Sequence, residues 1–247
     1  MIRLNKFLSE AGFCSRREAD RLALAGRITV NGAAAAPGMK IDENSVVRVD
    51  GRLVVPVARK VILAVNKPAG VVCTTDRRWN DRLLEDIIDY PDRVFPVGRL
   101  DKDSQGLIRM TNQGELLNRI MKAGNYHEKE YQVRVDHPIT QEFLEGMAQG
   151  VYLQELDKTT RPCRIWQSGN QSFHIVLTQG LNRQIRRMCS VFGYRVAALT
   201  RIRIMNIRLG DLPSGQYREL TREETDTLMN MLKESLNNTE LKWEKKK

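Results

Sequence analysis

Cysteine is scarce in this chain and never paired. Cys14, Cys73, Cys163 and Cys189 are scattered, with no C-x-x-C spacing. That argues against both a disulfide framework and a zinc site. The three histidines, His127, His137 and His174, also lack metal-ligand spacing, so no metal is expected. No apolar run approaches the roughly eighteen residues of a membrane span. The opening MIRLNKFLSE holds no apolar core of a secretory signal, so a cytoplasmic protein without a membrane partner is expected. Neither a P-loop nor a G-x-G-x-x-G string occurs, and no cofactor is expected. The most telling shortage is of acid: from Lys158 to Gly210 there is no Asp or Glu.

What fills that span is arginine. Lys158, Arg161, Arg164, Arg183, Arg186, Arg187, Arg195, Arg201, Arg203 and Arg208 lie within it and account for the whole net charge of +10. A guanidinium suits bidentate phosphate contact, and an unbalanced basic span points to nucleic acid. A solvated face would mix signs. The length of 247 residues and apolar content of 41% suit one large or two modest domains with a real core.

Near the N-terminus, Leu4, Phe7, Leu8 and Ala11 fall at helical spacing. Ser15 and Glu18 mark the start of a second helix with Ala19, Leu22 and Ala23 inward. Ile28–Val30, Val46–Val49 and Leu53–Val55 read as short strands, separated by Asn31-Gly32 and Asp50-Gly51 turns. Arg3, Lys6, Arg16 and Arg17 cluster at the helix starts, where backbone N–H groups and cations together hold phosphate. The strings RLNKFLSEAG, CSRREAD and GRITVNG resemble an S4 RNA-binding domain, expected over residues 1–58, with the linker at Pro56–Lys60. Such a module holds structured RNA by shape and backbone.

Beyond it, Val61–Val65 reads as a strand running into the NKPAG turn, with Val71–Thr75 extended and 76–81 a polar loop. Leu83, Leu84, Ile87 and Ile88 mark a helix. Leu116, Leu117, Ile120 and Met121 mark another, with Asn112 as its cap and Glu115 three residues on. KEYQVRV alternates as a strand, Thr140 and Thr221 cap helices, and Val196–Ile207 reads as one long strand. Residues 59–236 are expected to form an α+β domain, followed by a fraying basic tail at 237–247. Arg109, between Ile108 and Met110, is expected at a strand edge or solvent face.

The segment Gly98–Ile108, GRLDKDSQGLI, lies between two apolar runs, so its loop is held by strands. Asp101 and Asp103 in it are either solvated turn residues or chemical groups. GRLD with S-x-G-L resembles the catalytic motif of the RsuA-type pseudouridine synthases, and NKPAG is also a feature of that family. NYHEKEY and LTQGLNRQIRRMC are similar to its RluF branch.

The resemblance implies a mixed, mainly antiparallel sheet with flanking helices, and a cofactor-free isomerase. Its implied substrate is a uridine in a stem-loop of large-subunit (23S) ribosomal RNA, with the anticodon arm of tyrosine tRNA as a second. It also implies site roles. Asp101 is the essential carboxylate. Arg186 is the cation beside it, with Arg187 as the fallback. Tyr131 stacks on the extruded base and takes the C5 proton. From the residues themselves, Arg99, next to Asp101, is expected to brace the RNA, and Arg183 and Arg187 of the arginine-rich span are expected as further RNA contacts. The chain is expected to act as a monomer. Two rivals stand beside this reading: a non-catalytic S4-type RNA-binding or ribosome-associated protein, and a metal-dependent nuclease built on Asp101 and Asp103, for which two carboxylates without further acids are a poor cation site.

Overall fold

In the computed structural model, residues 1–57, 59–74, 82–122 and 126–244 are described, without the side chains of 118, 119, 121, 122 and 236–244. The expected polar loop at 76–81, Thr75 and the Met121 side chain fall outside them. By packing, the chain divides into two units. Met1–Val61 with Tyr90–Phe95 and Thr111–Leu116 make the first, and the remainder makes the second.

The first unit opens with β1 (Ile2–Arg3), α1 (Leu4–Glu10) and α2 (Arg16–Leu24). It continues through β2 (Ile28–Val30), β3 (Ala33–Ala34), β4 (Lys40–Ile41), β5 (Val47–Val49) and β6 (Arg52–Leu53). Ser15 caps α2 by accepting from the Glu18 N–H at 3.2 Å. The two tight turns are made as expected: Asn31 and Gly32 have φ of 51° and 84°, Asp50 and Gly51 49° and 77°. These left-handed pairs match hairpin twist and give the sheet order β3-β2-β5-β6. Leu4, Leu8, Ala19, Leu22, Ile28, Val47 and Val49 close its core.

The second unit is built on a nine-stranded sheet. In chain order its strands are β7 (Ile62–Lys67), β8 (Phe95–Val97), β9 (Gln105–Thr111) and β10 (Lys129–Val135). After a separate hairpin of β11 (Tyr152–Leu153) and β12 (Lys158–Thr159) come β13 (Arg164–Gly169) and β14 (Ser172–Leu177). β15 (Val196–Ile204), β16 (Ile207–Arg208) and β17 (Tyr217–Glu219) complete the set. The spatial order is β13-β14-β10-β15-β9-β7-β17, with β16 on β15 and β8 on β9. Among the pairings with a described register in this sheet, β9 with β15 is parallel and the rest are antiparallel, the mixed, mainly antiparallel α+β fold expected.

The helices are α3 (Leu84–Ile87), α4 (Gly114–Lys122), α5 (Gln141–Gln149), α6 (Gln184–Val191) and α7 (Arg222–Glu244). Val133, Val135, Phe143, Met147, Phe173, Ile175, Ile185 and Met188 form the core between the sheet and α5 and α6. Thr140 caps α5. Thr221 and Glu224 form a reciprocal box at the start of α7, at 3.1 and 3.0 Å.

Five local expectations are corrected. Val71–Thr75 is not a strand in its described part; Val72 makes a lone bridge to Leu83. α3 is a single turn, ended by extended Ile88 shortly before Pro91. Asn112 does not cap α4, because its side chain accepts from Val61 N and donates to Arg59 O. β15 stops at Ile204, where Met205 at φ 54° turns the chain back into β16. The backbone from 237 to 244 continues α7 instead of fraying.

Arg109 is the largest departure. β9 is flanked by β15 and β7, so Arg109 is interior, 4% exposed. Its Nη1 meets only Met205 Sδ, at 3.8 Å, and its Nε has no hydrogen-bond partner among the described residues. Burial, and then the nearby Arg201, pull its pKa down to about 10. Among the described residues no acid acts on it, and a buried cation without one is a standing cost. Arg109→Leu is therefore expected to stabilise the protein by about 1–4 kcal/mol, raising Tm by about 2–4 °C per kcal/mol. Calorimetry checks this; a lowered Tm contradicts it.

Candidate active site

The loop between β8 and β9 carries Asp101. It starts at Gly98, whose φ of 87° only glycine adopts without strain, and is anchored by buried Leu100 and Ser104. The Ser104 N–H donates to Asp101 O at 3.1 Å, closing the turn. From below, the NKPAG turn holds the loop. Gly70 N donates to Lys102 O at 2.7 Å. Lys67, fully buried, donates to the carbonyls of Pro68 at 2.8 Å, Val71 at 2.7 Å and Lys102 at 3.4 Å. The two motifs thus act as one block, and Lys67 is its pin.

Beyond the loop, β9 pairs with β15 through Gln105 with Thr200 and Gly106 with Arg201. β15 pairs on its other side with β10, where Arg201 faces Tyr131. The sheet order alone therefore brings Asp101 and Tyr131, thirty residues apart in sequence, to one place. Both line a cavity of about 330 Å³, together with Arg99, Lys129, Arg183, Arg186 and Arg201. Asp101 and Tyr131 are each half-buried, while Arg99 and Arg183 are exposed at the mouth.

The expected cation at Asp101 is arranged differently. Arg186 lines the cavity but engages Asp103: its Nη2 donates to Asp103 O at 3.0 Å and its Nε lies 3.3 Å from Asp103 Oδ2. Arg183 grips the same carboxylate with both Nη atoms, at 3.1 and 2.8 Å. Burial would raise the Asp103 pKa, but the Arg183 hydrogen bonds and the Arg186 and Arg183 charges outweigh it, and the net shift is downward. Asp101 exerts its charge on Arg183 and on Lys67. Asp103 is thus a structural clasp that fixes two arginines beside Asp101. With its carboxylate spent on them, the paired-aspartate metal site loses half its ligands.

The remaining site residues are dispersed. Arg187 bonds Asn182 and pairs with Glu155; it is not among the cavity-lining residues. In the first unit Arg3, Arg16 and Arg17 are exposed, whereas Lys6 is ion-paired with Glu10 and Glu115. Sequence reasoning does not single out two cavity groups, Arg201 and Lys129, or Lys67 behind the loop. The NKPAG string gives no sign that Lys67 is a buried pin, and Arg201 is one of many arginines in its span. Lys129 had a usable signal, lying two residues before Tyr131 on the same strand face.

Comparison with known proteins bears on the whole chain. Residues 61–191 match the family model described as RNA pseudouridylate synthase, and residues 2–47 match the S4 domain. The chain is 49% identical over 235 residues to the dual-specificity RNA pseudouridine synthase RluF of Salmonella typhi, covering 94% of this chain and 80% of that one. The RluF of Escherichia coli K12 is 48% identical, over 95% of this chain and 80% of its own. The ribosomal large subunit pseudouridine synthase B of Vibrio cholerae is 36% identical, over 93% and 75%. A solved pseudouridylate synthase superimposes with a TM-score of 0.67 at 26% identity, covering 92% of this chain and all of that one.

Proposed function

The chain belongs to the RNA pseudouridylate synthase family, and from that membership we propose that its target is a uridine in 23S ribosomal RNA, with the anticodon arm of tyrosine tRNA as a second substrate. As a member it is an RNA-binding isomerase, not a bare S4-type binding protein, since the match runs through residues 61–191 as well as the S4 domain. The substrate reading leans on relatives named dual-specificity and ribosomal large subunit synthases. We place its action in the cytoplasm and on the monomer.

One observation carries the chemical assignment: Asp101, Tyr131 and a ring of cations share one cavity of about 330 Å³, within the size of small-ligand sites. An in-stack uridine cannot reach Asp101, so the nucleotide must turn out of its helix into the cavity. Asp101 then attacks C1′ or removes the C2′ proton. The C1′–N1 bond breaks with its electron pair on uracil, the base turns over, and C5 bonds to C1′ as the C1′–Asp101 bond breaks or, on the elimination route, as Asp101 returns the proton to C2′. N1 takes up a proton and the C5 proton leaves; in this reading the Tyr131 ring stacks on the base and its hydroxyl relays the C5 proton onward. No atom is gained or lost. Arg99 and Arg183 at the mouth meet the flanking phosphates, and the exposed Arg3, Arg16 and Arg17 give the S4 unit phosphate contacts of its own.

The test is a pseudouridine map of unmodified 23S rRNA and tyrosine tRNA transcripts before and after incubation with the protein. One new site in the rRNA and one in the anticodon arm are expected. Maps unchanged in both would overturn the substrate reading.

A further inference from the structure

Lys129 lines the cavity beside Tyr131 and has no work in the scheme above. It sits on β10 two residues before Tyr131, half-buried, and lines the same cavity. Its ammonium has three donors, of which the described contacts use one, a bond of 3.3 Å to His127 O. The acids on either side of it in sequence are turned to other partners: Glu128 and Glu130 hold Arg203 at 3.0 and 2.9 Å, and Glu128 also holds Arg164 at 2.7 Å. Among the described residues, the charges that act on Lys129 are those of Arg201 on β15 and Arg109 on β9, while burial keeps His127 down to about 4. Asp101 and Tyr131 line the same cavity. Burial first, and then Arg201 and Arg109, bring Lys129 down to about 8.

We propose that Lys129, backed by Arg201, is a catalytic residue that hydrogen-bonds the carbonyl oxygens of the detached uracil and holds the negative charge the base acquires when the C1′–N1 bond breaks. This rests on the pseudouridine synthase reading of the cavity. Depth decides what Lys129 meets. The exposed cations, Arg99 and Arg183, stand at the mouth, where the phosphates of an extruded nucleotide remain. Only the base travels inward. Arg201 is 4% exposed and fixed by bonds to Leu107 O and Arg99 O at 2.7 and 3.3 Å, so the positive floor is rigid before substrate arrives. Bond breaking sends the electron pair to uracil, where it spreads over O2 and O4. A preorganised cation there stabilises the cleaved state over the bound uridine, which raises kcat and leaves affinity nearly unchanged. Once C5 has bonded to C1′ and lost its proton, the base is neutral and Lys129 is released unchanged.

The experiment compares wild type, Lys129→Met and Lys129→Arg in single-turnover tritium release from RNA carrying [5-³H]uridine, with filter binding for affinity. Lys129→Met is expected to lose about 10²-fold or more in rate, to keep RNA affinity within about threefold, and to melt no lower than wild type, since it removes an unmatched cation. Lys129→Arg is expected to recover part of the loss. The wild-type rate is expected to fall as pH rises through about 8, and this fall is expected to be absent in Lys129→Met. A further arm uses 5-fluorouridine RNA with wild type and Lys129→Met, followed by nucleoside digestion. Fluorine stabilises the uracil anion, so both the alkaline fall and the deficit of Lys129→Met are expected to shrink. A Lys129→Met rate within threefold of wild type overturns the proposal, as does a loss confined to affinity, which would mark a phosphate contact. An alkaline fall unchanged by fluorine also overturns it. Wild type without tritium release would overturn the parent reading, and this one with it.

Discussion

Asp101→Asn is expected to lose tritium release from [5-³H]uridine RNA by at least about 10³-fold while binding the same RNA within about threefold. The substitution keeps the size of the side chain and leaves the turn intact, because the Ser104 bond goes to the Asp101 backbone oxygen. What disappears is the charge that attacks or deprotonates at the sugar. Affinity is expected to survive because the proposed phosphate contacts are other residues, the exposed Arg99 and Arg183 and the exposed arginines of the S4 unit. Paired rate and filter-binding measurements separate this from a structural role, for which affinity and melting temperature would fall together. Full activity in Asp101→Asn would end its assignment as the essential carboxylate.

Gly106→Ala is expected to be the most damaging small substitution near the site. Gly106 has φ of 102°, and a Cβ placed there would lie 2.4 Å from Arg201 O and 2.7 Å from Arg201 N. Those are backbone atoms of a paired strand, so relief requires β9 and β15 to part. The cost is about 3 kcal/mol or more, a fall in Tm of roughly 6–12 °C for a chain of this size. Gly193→Ala is the control: its φ is 80°, but a Cβ would meet nothing within 4 Å. It pays only left-handed strain, about 1–2 kcal/mol. Thermal melts of the two variants should therefore differ by several degrees; equal melts would mean that the β9–β15 contact is not tight. Activity should fall with stability in Gly106→Ala, since Asp101 and Arg201 are positioned from that contact.

What could be read from sequence was local. Two turns with a left-handed pair of residues, a Ser15 cap, and the alternation of KEYQVRV are each decided within a few residues, and each stands in the structure. Asp101 and Tyr131 were singled out by residue strings, and the order β10-β15-β9 brings them together. What escaped depends on partners chosen across the sheet. Arg109 looks like a surface residue by type, yet β7 and β15 enclose it. Arg186 had the right cavity, but its carboxylate proved to be Asp103. Arg187 took Glu155, more than thirty residues upstream. Alternation puts Lys129 on the face of Tyr131, but that Glu128 and Glu130 spend themselves on Arg203 and Arg164 is decided by partners across the sheet. No window of neighbouring residues contains that fact.

The most direct test of the central claim is the stoichiometry of tritium released by the wild-type protein from 23S rRNA labelled at C5 of uridine. Release that climbs to one equivalent per RNA and stops is expected, since a single uridine is turned out and re-bonded through C5. No release from rRNA or tRNA substrates would contradict the account at its root.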